Sequence, residues 1–149
     1  MNPFDLRAAL LARHAQHVVL IHFPIALFIA GVIFDFLAQS AKRRALRAVA
    51  YYNLLGAAIS VVPVVVTGLL AWQFQLEGQK LKGILLMHLV LGSTSAVLIW
   101  IVWGLQLRAQ RLSTERLPGF RLALETVAVG VIALTGHLGG FLSGVNGPN

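Results

Sequence analysis

The sequence predicts an all-α integral membrane protein, an up-down four-helix bundle with both termini on the outer, periplasmic side. Three observations carry that expectation. The 149 residues are 58% hydrophobic and only 11% charged, with a mean hydropathy of +0.80, whereas a soluble domain carries roughly 25% charged residues. The apolar residues fall into four blocks, each near the ~20 residues that a bilayer core requires. The connectors between blocks are short, which makes neighbouring helices antiparallel.

The blocks place spans at about 18–37, 49–72, 84–107 and 122–142, all within a single transmembrane domain, 1–149. The first is interrupted only by Asp35, the second contains Pro63, the third has His88 near its start, and the fourth has Glu125 in its first turn and His137 near its end. The first block is too long for a signal-peptide core and no small-residue cleavage site follows it, so it is expected to be retained. The connectors are QSAKRRALRA, QFQLEGQKLKG and RAQRLSTERLPGFR.

Lys and Arg in these connectors set the expected orientation. Lys42, Arg43, Arg44 and Arg47 in the first, with Arg108, Arg111, Arg116 and Arg121 in the third, put eight basic residues on one side. Arg7, Arg13, Lys80 and Lys82 put four on the other. The eight-charge side is expected to face the cytoplasm of a bacterial inner membrane. The net charge of +7 is then topological and implies no nucleic-acid partner. Trp72 and Phe74 suit an outer aromatic belt, and Tyr51, Tyr52, Trp100 and Trp103 an inner one.

With that orientation, His22, His88 and His137 fall at one depth, roughly 6–9 Å below the outer surface, with His17 at the rim above them. Each helix carries a stripe of small residues: His22, Ala26 and Ala30; Gly56, Ser60, Pro63 and Thr67; His88, Gly92 and Ser95; and Gly130, Ala133, His137, Gly140 and Gly144. Small faces let membrane helices approach closely; they also leave room for a flat group between helices. Pro24 disfavours helical geometry at Phe23 and removes a backbone donor, so the helix is expected to begin or kink there.

Ionisable residues within spans are functional candidates by default. Imidazole is a common metal ligand and an axial ligand of haem iron. Two histidines on different helices could hold a b-type haem without a covalent link, and three or four could hold copper or zinc. The plainer alternative is neutral interfacial histidines bonded to backbone or lipid. With no cysteine in the chain, thiolate zinc, iron–sulfur and CxxCH haem sites are excluded. Asp35 could serve a proton relay, but as one acidic residue without a chain of partners it is read as half of a surface ion pair with Arg44 or Arg121, and Glu125 as a charge complementing the helix dipole. Lys80, Lys82, Arg13 and His14 could bind haem propionates, or simply anchor the interface. No nucleophile–base pair, paired carboxylates, phosphate loop or HExxH motif is present, so no independent enzyme activity is expected.

HVVLIHFPIAL at the first span, an isolated histidine early in the third and GHLGGFLSGVNG at the end together resemble the small four-span bacterial membrane proteins grouped as domain of unknown function 2231. The matching positions are His17, His22 to Ile25, His88, Gly139, Gly140, Gly144 and Val145; His137 lies outside the pattern. The resemblance implies a membrane partner of redox or cofactor-bearing proteins. The expectation is a b-type cytochrome-like subunit relaying electrons between a periplasmic redox partner and the quinone pool or a respiratory complex. His22 and His88 are the first choice of axial ligands, because the first and third spans lie diagonally in a simple bundle; His137 with His88 is the next, and His17 is also available. The alternatives are a cofactor-free accessory subunit of a larger complex and a copper- or zinc-binding membrane protein.

Overall fold

The structure, a computed structural model, describes residues 13–41, 44–74, 76–111 and 119–143. Arg7, Lys42, Arg43, Arg116, Gly144 and Val145, and the side chains of Arg13, His14 and Arg44, lie outside the described residues. The described elements are α1 (Arg13–Leu20), α2 (His22–Ala41), α3 (Arg44–Phe74), α4 (Gly83–Arg111) and α5 (Arg121–Leu142); no strand occurs among the described residues.

Among the described residues, four helical stretches are long and apolar enough to cross a membrane: Gln16–Gln39, Ala45–Phe74, Gly83–Arg111 and Arg121–Leu142. At the Arg-rich end they overrun the apolar blocks, because Arg47, Arg108 and Arg111 are good helix formers with no breaker among them. Arg108 and Arg111 also complement the α4 dipole from its last turn.

The first span is broken by a turn at Ile21. The cause is Pro24, whose ring displaces the carbonyl four residues earlier, that of Leu20. Backbone bonds survive on both sides of the break, from Ile21 N to the His17 carbonyl at 3.1 Å and from Ile25 N to the Ile21 carbonyl at 3.4 Å. Pro63, by contrast, is accommodated inside α3. Thr67 Oγ1 donates back to the Pro63 carbonyl at 2.8 Å. The α3–α4 connection turns through Glu77 and Gly78, both left-handed.

α2 packs chiefly on α3 and α4 on α5; α3 joins the two hairpins through α4, and α5 closes the ring against α2, with α1 lying along α3. α2 and α4 are therefore diagonal, as expected of an up-down bundle. The core between them is built from Phe28, Leu54, Ala57, Ile99, Val102, Ala128 and Ile132. The small stripes do not all serve this packing. Gly92 and Ser95 face α5, and a Cβ on Gly56 would meet Leu27 of α2 at 3.1 Å. Ala26 on α2 and Gly130 and Ala133 on α5 are exposed.

The two hairpins repeat one another with an offset of 71 residues. Buried Phe28, Gly31 and Asp35 of α2 correspond to buried Ile99, Val102 and Gln106 of α4. Buried Ala50, Leu54, Ala57 and Val61 of α3 correspond to buried Arg121, Glu125, Ala128 and Ile132 of α5. Because the register holds across both helices of each hairpin, equivalent positions occupy equivalent places about the bundle axis.

Candidate functional sites at the two ends of the bundle

At the end where α2 and α4 begin, two histidines are anchored in the same manner. His17, half-buried, directs Nδ1 to the Val64 carbonyl of α3 at 3.1 Å, with Thr67 Oγ1 3.2 Å from the same nitrogen. His88, half-buried on α4, directs Nδ1 to the Thr135 carbonyl of α5 at 3.1 Å. A carbonyl can only accept, so both Nδ1 atoms carry a proton, and in the neutral ring the lone pair is on Nε2. Each ring also rests on the glycine one turn beyond its acceptor. A Cβ at Gly68 would stand 2.9 Å from His17 Cε1, and one at Gly139 would stand 3.2 Å from His88 Cε1. Thr135 is itself held by its Oγ1 donating to the Val131 carbonyl at 2.8 Å, and it contacts Ser95 Oγ at 3.1 Å.

His22 and His137 have different surroundings. His22 is exposed beside exposed Phe23, and His137 is exposed with its ring edge-to-face on Phe141 at 5.0 Å between centroids. Their equivalents in the repeat, Ser93 and Val66, are exposed too. The partner of His88 by position is thus His17, which the sequence placed at the rim. The break at Ile21 explains the difference: α1 leaves the axis of α2 and lies along α3, carrying His17 onto Val64. Lys80 and Lys82 are exposed at this end. Among the described residues no three of His, Asp or Glu come together as a metal-binding group.

The opposite end holds the most buried polar cluster. Asp35 of α2 and Glu125 of α5 are 1% and 0% exposed. Arg121 Nη2 lies 2.6 Å from Asp35 Oδ2, and Gln106 Nε2 of α4 donates to the same oxygen at 2.8 Å. Arg121 Nε stands 3.2 Å from Glu125 Oε1, close enough for an ion pair but not aligned for a hydrogen bond, so neither Glu125 oxygen accepts one. The Nε1 of Trp103, one turn before Gln106 on α4, is also buried without a partner. Of the two bases expected for Asp35, Arg121 pairs with it, and that pair is interior, not superficial; the Arg44 side chain lies outside the described residues. Glu125 is likewise not a dipole-complementing residue. α5 starts at Arg121, which puts Glu125 a full turn inside, facing Arg121.

These features define an all-α, multi-pass membrane protein, with an oriented histidine pair at one end of its bundle and a buried ionic cluster at the other. Residues 13–147 match the profile of a family described as a predicted membrane protein, DUF2231. The chain belongs to that family. No curated protein and no solved structure matches it.

Proposed function

We propose that the protein is a haem-carrying electron-transfer subunit of the bacterial inner membrane, with His17 and His88 as axial ligands in place of His22. The observation that carries this reading is the repeated anchoring of the two rings. A metal-ligating histidine ordinarily gives its other N–H to a carbonyl or carboxylate, which fixes the tautomer and aims the ligating nitrogen. His17 and His88 meet that requirement through Val64 and Thr135. Haem iron asks the protein for no more than two such ligands, whereas protein-bound zinc and many copper centres ask for three or four. The bound group would supply reversible one-electron chemistry. His17 and His88 would hold it, and Lys80 and Lys82, exposed at the same end, would bind its propionates.

The basic residues concentrated on the carboxylate end support a cytoplasmic location for that end and a periplasmic one for the histidines. Electrons would then pass between a periplasmic redox protein and the quinone pool or a respiratory complex. A reduced-minus-oxidised absorption spectrum of protein purified from haem-sufficient cells tests the proposal. The expected result is a b-type α-band lost in a His17→Ala, His88→Ala double variant and kept in His22→Ala. No α-band in the wild type overturns the haem reading. Stoichiometric copper or zinc on the same sample would identify a metal carrier. Neither haem nor metal would leave a cofactor-free accessory subunit.

A further inference from the structure

We propose that Asp35 and Glu125 form a proton-binding site inside the bundle, one proton shared between two carboxyl groups that Arg121 and Gln106 hold in place. The site is separate from the histidine pair and does not depend on a cofactor there.

Charge balance is the first argument. Asp35, Arg121 and Glu125 side chains are each at least 95% buried, and an unbalanced charge in such surroundings is costly. Two carboxylates and one guanidinium leave one negative charge over. Gln106, the remaining polar member, is neutral. Among the described side chains, α3 has Ala50 and Leu54 at the equivalent buried positions, and its titratable neighbours in sequence are exposed Arg47 and half-buried Tyr51.

Hydrogen bonding is the second argument, and it says where the proton belongs. Asp35 Oδ2 already receives donors from Arg121 and Gln106, as an ionised carboxylate does. Glu125 receives none, yet its carboxyl and that of Asp35 meet on one guanidinium, Arg121 standing 3.2 Å from Glu125 Oε1 and 2.6 Å from Asp35 Oδ2. Two ionised carboxylates at that range repel, whereas a protonated Glu125 donates to Asp35 and satisfies both groups. Closely paired carboxyl groups titrate as a unit for this reason.

The internal repeat supplies the third argument. In the first hairpin the positions of Arg121 and Glu125 are filled by Ala50 and Leu54, both fully buried. Leu54 packs so closely on α2 that a Cβ on Gly31 would stand 2.8 Å from it. The bundle therefore closes at this level with apolar side chains. The charges in the second hairpin are an addition that packing does not require.

Infrared spectroscopy of the full-length protein in phosphatidylcholine vesicles tests the proposal. The expected result at neutral pH is a carboxylic-acid carbonyl band that shifts in deuterium oxide and is absent from Glu125→Gln. Asp35→Asn should move the band, since it changes the acceptor. Release of one proton per chain on alkalinisation, followed with a pH indicator in the wild type and missing from Glu125→Gln, is the second readout. It needs only one variant, and Glu125→Gln preserves the volume and donor capacity of the protonated acid. A wild-type spectrum without such a band overturns the proposal. So does a band unchanged in a folded Glu125→Gln, or one abolished by sodium ions at constant pH, which would make the site a cation site.

Discussion

His17 and His88 make the same bond from the same place. Each ring donates Nδ1–H at 3.1 Å to a carbonyl 47 residues further along the chain, Val64 for one and Thr135 for the other. Each then lies against the glycine four residues beyond that carbonyl. Since the two histidines are themselves one repeat apart, the arrangement is a property of the hairpin and has been used twice. A hydrogen bond in hydrocarbon surroundings has no water to compete with it. The two rings are therefore fixed in direction by the protein's own backbone.

The glycines make this testable. Glycine inside a helix costs about 0.8–1.0 kcal/mol relative to alanine, so Gly→Ala should stabilise wherever the added methyl finds room. Gly130 and Gly136 have open space, and alanine at either should raise stability by up to about 1 kcal/mol. Gly68 and Gly139 should behave oppositely, because the methyl would meet a histidine ring. Gly68→Ala is expected to be the worse, at 2.9 Å against 3.2 Å, and to displace His17 from Val64. Thermal unfolding in detergent, with histidine ring-nitrogen NMR as the local readout, checks both. Stabilisation by Gly68→Ala would contradict the packing described.

Ser95 and Thr135 should show energetic coupling. Their hydroxyls meet at 3.1 Å between α4 and α5, and the Thr135 backbone carries the His88 bond. Ser95→Ala and Thr135→Val are each expected to cost about 0.5–1.5 kcal/mol. Combined, they should cost less than their sum, because the second change removes a partner already lost. His88 should keep its bond in Thr135→Val, since the acceptor is the main-chain carbonyl. A double-mutant cycle measures the coupling; strict additivity would show that the contact contributes nothing.

Most of the fold was legible in the residues, because hydropathy alone marks a segment that must satisfy its backbone internally. The histidine end was half legible. His88 is flagged as an ionisable residue in an apolar run, but that His17 shares its kind of backbone bond follows only once Pro24 is known to break the helix at Ile21 and not at Phe23. The carboxylate end was hidden for a different reason. Asp35, Gln106, Arg121 and Glu125 are scattered over three helices, and each is ordinary for an interfacial turn. A signal did exist: the 71-residue repeat aligns Asp35 with Gln106 and Leu54 with Glu125, but it survives as a burial pattern more than as identity.

Removing Arg121 should be the most damaging single change in the bundle. Arg121→Ala leaves Asp35 and Glu125 buried without their cation, and breaking a buried ion pair from one side costs about 3–5 kcal/mol. Arg121→Lys should recover only part of this loss, since an ammonium cannot reach two carboxyl groups with the spread donors of a guanidinium. The triple variant Asp35→Asn, Arg121→Ala, Glu125→Leu discharges the cluster and gives α5 the residues that α3 carries at Ala50 and Leu54. Buried ion pairs replaced by apolar side chains are often neutral or stabilising, so the triple variant is expected within about 1 kcal/mol of wild type despite containing the worst single change. Unfolding monitored by circular dichroism in detergent micelles decides the matter. A triple variant as unstable as Arg121→Ala would mean that the cluster holds the bundle together, and that the two hairpins are not interchangeable at this level.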